Sequence, residues 1–173
     1  METEAVEAGK SVSESSVVMA QLMSHQDINT AGNVHGGVIM KLIDTAAGVA
    51  AMRHAHSNVV TASIDRLDFH NPAYMGDVLT LKASLNYVGK TSMEVGVRVE
   101  TENPRTGERR HTASAYLTFV SLDPEGRPRP VPPLTLETDE ERRRHREARA
   151  RREARLAEKK KEKACQIQKE SCG

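Results

Sequence analysis

The sequence predicts an α+β fold in which one long buried helix is wrapped by a curved antiparallel sheet of about five strands. Two observations carry this. Residues 38–54 are apolar on nearly every side of a helical projection, and three runs between residues 77 and 120 alternate between apolar and polar side chains. A third observation, the abrupt shift to Glu, Arg, Lys and Ala after residue 138, marks where the folded domain gives way to a tail.

Taken in chain order, residues 1–14 are acidic and Ser-rich and are expected to be disordered. They hold no apolar stretch of the kind a secretion signal needs. Residues 15–23 (SSVVMAQLM) read as a first strand and the polar stretch 24–33 as a loop. Gly32-Asn33-Val34-His35-Gly36-Gly37 then opens directly into the helix. Within it, Val38, Ile39, Leu42, Ile43, Ala46, Ala47, Val49, Ala50 and Met52 leave almost no polar face, so burial all round is expected. Gly48 costs such a helix about 1 kcal/mol against alanine, which points to close packing there.

Residues 59–69 form a less regular strand, expected to be bulged. In 77–88, Leu79, Leu81, Ala83, Leu85 and Tyr87 share one face, and Thr80, Lys82, Ser84 and Asn86 the other. Residues 92–100 turn Met93, Val95, Val97 and Val99 inward, with Glu94, Arg98 and Glu100 opposite. Residues 112–120 repeat the pattern with Ala113, Ala115, Leu117 and Phe119. Period two with one apolar face is an antiparallel sheet covered on one side. Gly89-Lys90 and residues 103–107 (NPRTG) supply hairpin turns. One apolar helix against one such sheet is the hotdog arrangement. Residues 15–135 form this domain; 136–173 are a charged tail, helical or disordered.

Charge narrows the functional classes. The net charge of +1 hides a tail segment, 139–163, with 12 basic and 7 acidic residues, a balance of +5. The body, near −4, does not suit a nucleic-acid platform. No run of about 18 apolar residues exists to cross a membrane, and Leu156 alone gives the tail no stripe to lie on one. The tail is therefore expected to be a solvated charged helix, dispensable for activity, and the protein cytoplasmic. Cys165 and Cys172, the two cysteines, read as incidental tail thiols, and their spacing without nearby His is not a zinc motif. His35, His54, His56 and His70 form no ligand spacing, so no metal is expected.

The chemistry concentrates around the helix. Gly36 and Gly37 lie where loop becomes helix; their N–H groups either permit a tight turn or hold a developing oxyanion. Asp44 is a carboxylate amid apolar residues, which costs several kcal/mol unless hydrogen-bonded. It is either a satisfied structural residue, bonded to Thr45 or Arg53 of a neighbour, or a general base. Gly37 and Asp44 are separated by roughly 10 Å along a helix axis. A base and an oxyanion donor must meet at one carbonyl, so a two-fold dimer is expected to pair Asp44 of one protomer with Asn33 and Gly37 of the other.

The run from Ala31 to Gly37, Asp44, Asp68-Phe69-His70-Asn71-Pro72, Gly76-Asp77, Lys90-Thr91-Ser92-Met93-Glu94 and Val131-Pro132-Pro133 together resemble the cytosolic acyl-CoA thioesterases of hotdog type, over about residues 15–135. The mammalian brain-type hydrolase and small bacterial enzymes belong to that group. The resemblance implies hydrolysis of fatty acyl-CoA, a dimer assembling into a trimer of dimers, and an active site of Asn33 and Asp44 across the dimer. Because the mammalian enzyme carries two hotdog domains and this chain one, identical subunits would supply both halves. Asp44 would take a proton from water or itself attack the thioester, Asn33 would orient water or carbonyl, and Gly36 or Gly37 would hold the oxyanion. No cofactor is implied: coenzyme A is part of the substrate. Its phosphates would meet Lys90, Thr91 and Ser92, with Arg53 and Arg66 as further candidates; Lys90 also reads as an ordinary hairpin residue. Two other classes compete. A hotdog hydratase uses a different Asp…His pattern, and a non-catalytic acyl-CoA sensor acting as a regulator would need a DNA-reading module, of which no helix-turn-helix pattern gives a sign.

Overall fold

The structure, a computed structural model, describes residues 9–170, and only the backbone of 163–170. Strand β1 (Lys10–Ser11) leads through the single turn α1 (Val12–Ser15) into β2 (Val17–Leu22). A 3-10 turn at His25–Asp27 precedes the long helix α2 (Gly36–Ala55). Then come β3 (Asn58–Phe69), β4 (Val78–Val88), β5 (Ser92–Glu102) and β6 (Arg109–Leu122), followed by the short β7 (Leu134–Thr135) and helix α3 (Asp139–Glu170).

Five strands make one antiparallel sheet in the order β2-β4-β5-β6-β3, and every one of them touches α2. The period-two pattern decides which face does so. The inward residues of β4, β5 and β6, from Leu79 to Leu85, Met93 to Val99 and Ala113 to Phe119, are at most 3% exposed. They meet Ile39, Leu42, Ile43, Ala46, Ala47 and Ala50 of α2 in one core. Each Leu, Ile or Val buried there contributes about 1.5–3 kcal/mol. The register of β3 on β6 shifts between Thr61 and Ser63 and between Ile64 and Arg66, which is the bulging that its irregular pattern predicts.

Four expectations change. Residues 10–15 are not disordered: β1 pairs with β7 in parallel, and Lys10 Nζ donates to the carbonyls of Arg53 (3.0 Å) and His54 (3.1 Å) at the C-terminus of α2. A cation there satisfies carbonyls that the helix leaves unpaired. Residues 1–8, and the side chains of both cysteines, lie outside the described residues. Second, α2 is not buried all round within one chain: Met40 and Met52 are 41% and 43% exposed on its outward side. Third, Gly48 is not demanded by packing inside the chain, since a Cβ would sit 3.7 Å from the Phe119 ring, an ordinary contact.

Fourth, α3 is not a solvated tail. It lies across the outer face of the sheet, with Ala148 fully buried. Arg151 donates to Glu94 at 2.7 Å and stacks over Tyr116, while Arg155 pairs with Asp65. Glu94, expected to face solvent, is 3% exposed. The tail composition conceals this because its contacts are made by Arg side chains, whose apolar stems cover surface while the heads reach fixed carboxylates.

Candidate active site

The site assembles where the loop before α2 meets the end of β3. Ile28 and Val34 bridge across the loop, and Asn29 and Asn33 bond within it: Asn29 Nδ2 donates to Asn33 Oδ1 at 2.6 Å, and Asn29 Oδ1 accepts from the Ala31 N–H at 2.9 Å. Gly32 takes φ +85°, a left-handed turn that glycine adopts without a Cβ penalty. The Val34 N–H donates to the Ala73 carbonyl at 2.8 Å, which ties the loop to the segment after β3.

α2 then starts with His35 as its N-cap; His35 Nδ1 accepts the Gly37 N–H at 2.8 Å. A Cβ on Gly37 would lie 3.0 Å from that nitrogen, a tight contact that would push on the capping ring. Of the two amides offered as oxyanion donors, Gly37 is thus already engaged. The Gly36 N–H has no hydrogen-bond partner among the described residues. Gly36 lines a cavity of ≈ 380 Å³ together with Asn29, Asn33, Phe69, His70 and Asn71. The dipole of a 20-residue helix adds positive potential there.

His70 packs against His111, ring centroids 4.6 Å apart. Burial, then the charge of Arg98, push His111 below the ordinary histidine range, and its Nε2 bonds to Ser114 Oγ at 2.8 Å. This pair backs one wall of the cavity.

Asp44 lies two turns further along α2 and is half-buried. Its Oδ1 accepts from Thr61 Oγ1 of β3 at 2.7 Å. Within the chain, Thr45 donates to the Lys41 carbonyl and Arg53 Nη1 to the Ser16 carbonyl. Thr61 was not anticipated, because the β3 bulges obscure which of its side chains turn towards α2. Asn29 was also missed; its spacing of four from Asn33 was the available signal.

The residues considered for coenzyme A phosphates do not converge in one chain. Arg53 holds the start of β2, and Arg66 pairs with Asp68 in the open. The Lys90-Thr91-Ser92 turn accepts from the Ser121 N–H at the far end of β6 and from the Val131 N–H beyond it, whereas Phe69 pairs with Ala113 near the beginning of β6. Eight residues of strand separate these ends, roughly 26 Å. No group of three or more His, Cys, Asp or Glu disposed to hold a metal ion occurs among the described residues. No helix among them is long and apolar enough to cross a membrane.

The model of the thioesterase superfamily matches residues 31–108, from the Asn33 loop to the β5–β6 turn. The cytosolic acyl coenzyme A thioester hydrolase of Mus musculus is 41% identical over 136 residues, covering 78% of this chain and 35% of that protein. This chain thus spans about a third of the length of such mammalian relatives. The acyl-CoA thioester hydrolase YkhA of Bacillus subtilis is 42% identical over 128 residues, 74% of each chain. Among solved structures, an apo hexameric acyl-CoA thioesterase superposes with a TM-score of 0.85 at 42% identity, covering 87% of this chain and 97% of that one. The Staphylococcus aureus acyl-CoA hydrolase, solved with butyryl coenzyme A and coenzyme A, gives 0.83 at 39% identity, covering 90% and 94%. Variants of that enzyme with one Asp, one Asn or one Thr changed to alanine superpose at 0.84, 0.85 and 0.83. With a five-stranded sheet around one long helix, and with that overlap in sequence and fold, this chain belongs to the thioesterase superfamily and has its hotdog fold.

Proposed function

We propose that the chain hydrolyses fatty acyl-CoA to a free fatty acid and coenzyme A at a site shared between two copies of itself. The observation that carries this reading is the placement of Asp44 and Gly36 on one helix. Eight residues put them roughly 12 Å apart along the axis, too far to act on one carbonyl. A second α2 crossing the first would bring Asp44 of one protomer to Asn33 and Gly36 of the other. The outward side of α2 suits such a crossing: Gly48, one turn after Asp44, is small without an internal reason, and Met40 and Met52 are exposed. Val60, Ile64 and Phe69 of the edge strand β3 are 42–50% exposed, an apolar edge that a second copy would cover. The hexameric neighbour supports three such dimers per assembly.

In the mechanism, Asp44 takes a proton from a water molecule as the water oxygen attacks the thioester carbonyl. The tetrahedral oxyanion accepts from the Gly36 N–H, with Asn33, pinned by Asn29, orienting carbonyl or water. Collapse expels the coenzyme A thiolate, which recovers the proton from Asp44. Thr61 holds the Asp44 carboxylate in one rotamer meanwhile. The S. aureus enzyme was studied with the same three residue types, Asp, Asn and Thr, changed to alanine. Coenzyme A enters as substrate, and no further cofactor is invoked. Arg53, Arg66 and Lys90-Thr91-Ser92 would reach its phosphates only from a neighbouring subunit. The cytosolic name of the mouse relative supports a cytoplasmic enzyme.

The test is complementation. Asn33→Ala and Asp44→Ala should each be nearly inactive as homo-oligomers. After mixing and refolding, hybrid dimers carry one site with both native residues, and thiol release from acyl-CoA should partly return. Proven subunit exchange without recovered activity would mean that each protomer holds a complete site.

A further inference from the structure

A second cavity, of ≈ 370 Å³, lies on the opposite face of the sheet beneath α3. None of the residues discussed for hydrolysis lines it. Its floor is low for a local reason. Ser84 of β4 pairs with Gly96 of β5, and Arg98 with Ser114 of β6, so three small residues share the outer face there. A Cβ on Gly96 would come within 2.6 Å of Asn86 Nδ2; glycine both keeps the floor open and lets Asn86 lie flat, donating to Glu94.

The walls are cationic. Lys82, Arg98, Arg144 and Arg151 line the cavity against one carboxylate, Glu147, which is itself bound by Arg143 at 2.5 Å. Arg151 is spent on Glu94, and Lys82 on Glu100. Arg98 donates to Glu100 through Nε and Arg144 to Glu140 through Nε. The terminal nitrogens of both guanidinium groups have no hydrogen-bond partner among the described residues. One fork stands on the sheet and the other on α3. Guanidinium forks match phosphate oxygens bidentately, and the volume is within the range of small-molecule sites.

We propose that this cavity binds the phosphate group of a small phosphate ester, clamped between Arg98 and Arg144. The ester is either the nucleotide end of a coenzyme A molecule or a separate phosphorylated metabolite. Bridging the sheet and α3, it tightens the docking of the helix, so binding raises the unfolding temperature.

The experiment titrates pyrophosphate, ADP and coenzyme A into the full chain at low ionic strength, by calorimetry and thermal shift. The variants are Arg98→Gln, Arg144→Gln and the pair together. Neither residue anchors α3, a role that falls to Arg151 and Arg155. Arg109→Gln is the control, on an exposed arginine paired with Glu102 away from the cavity. The double variant should bind ADP or pyrophosphate at least tenfold more weakly, with each single variant between, and the control unchanged. No binding of any probe to the native chain, or equal affinity in the double variant, overturns the proposal. If the occupant is the coenzyme A nucleotide, ADP competes with coenzyme A and the double variant raises KM for acyl-CoA at unchanged kcat. If it is a separate metabolite, ADP does not compete and KM is unchanged. Binding is read without turnover, so failure here leaves the hydrolysis reading standing, and the reverse.

Discussion

At the scale of single residues, the decisive contact is Thr61 Oγ1 to Asp44 Oδ1. Asp44→Asn keeps the shape of the side chain and removes its basicity. It should lower kcat at least about 100-fold with an unchanged circular dichroism spectrum; a native rate in the purified variant would remove Asp44 as the base. Thr61→Val keeps the volume and deletes the hydroxyl, leaving the carboxylate basic but less firmly held. A smaller loss, about tenfold in kcat, is expected, and a steady-state assay on both variants would order them. Asp44 was legible as a lone carboxylate among apolar residues. Thr61 was not, because a bulged strand loses the alternation that assigns side chains to faces.

At the scale of elements, α3 is held by ion pairs rather than by an apolar stripe. Glu94 is 3% exposed, and its charge is compensated by Arg151 and by Asn86 Nδ2 at 3.2 Å. Arg151→Met leaves that carboxylate buried and nearly unpaired, a loss of about 3 kcal/mol. Adding Glu94→Gln removes the orphaned charge and should restore most of the stability. Urea unfolding of the two variants checks this: an equal loss in both would mean that the ion pair does not hold the helix. Ending the chain after Glu137 was expected from composition to leave it soluble, oligomeric and active. The docked helix adds a cost in stability that composition does not show, since truncation exposes Glu94 and Asp65 without their arginines and uncovers the Ala148 contact. The truncated protein should unfold at a markedly lower temperature in a thermal scan, whatever its residual activity.

At the scale of the whole molecule, the two ends of the domain close over one histidine. β1 pairs with β7, and the fully buried His54 donates from Nε2 to the Pro132 carbonyl at 2.9 Å. Its Nδ1 is buried without a partner among the described residues. Burial, the largest cause, holds His54 below the ordinary histidine range; the hydrogen bond to the Pro132 carbonyl and the charge of Glu14 act against it, and the nearby Lys10 and His56 act with it. The unfolded chain therefore binds a proton at about pH 6.5 that the folded chain refuses until lower pH. Stability is full above that value and is lost as pH falls from there through the lowered folded value. Denaturant midpoints between pH 7.5 and pH 5 should fall, and should fall less in His54→Gln. An equal fall in both proteins would assign the dependence to other groups.

The helix from Gly36 and the strands from Asn58, Val78, Ser92 and Arg109 were determined by the sequence alone. Hydrophobic patterning is a local property: an apolar run on α2 and a period of two on β4, β5 and β6, readable wherever a face is buried. The same holds for Asp44 and the paired glycines, whose chemistry is unusual for their immediate neighbours. Only the tertiary structure decided which glycine amide is free, because that depends on the orientation of the His35 ring. Likewise it alone revealed Arg151 and Arg155 as anchors and the cavity between α3 and the sheet. Those features join residues 57 and 90 positions apart in the chain. Charged side chains carry no period that marks them as partners; a partner appears only when the backbone brings two opposite charges out of water together.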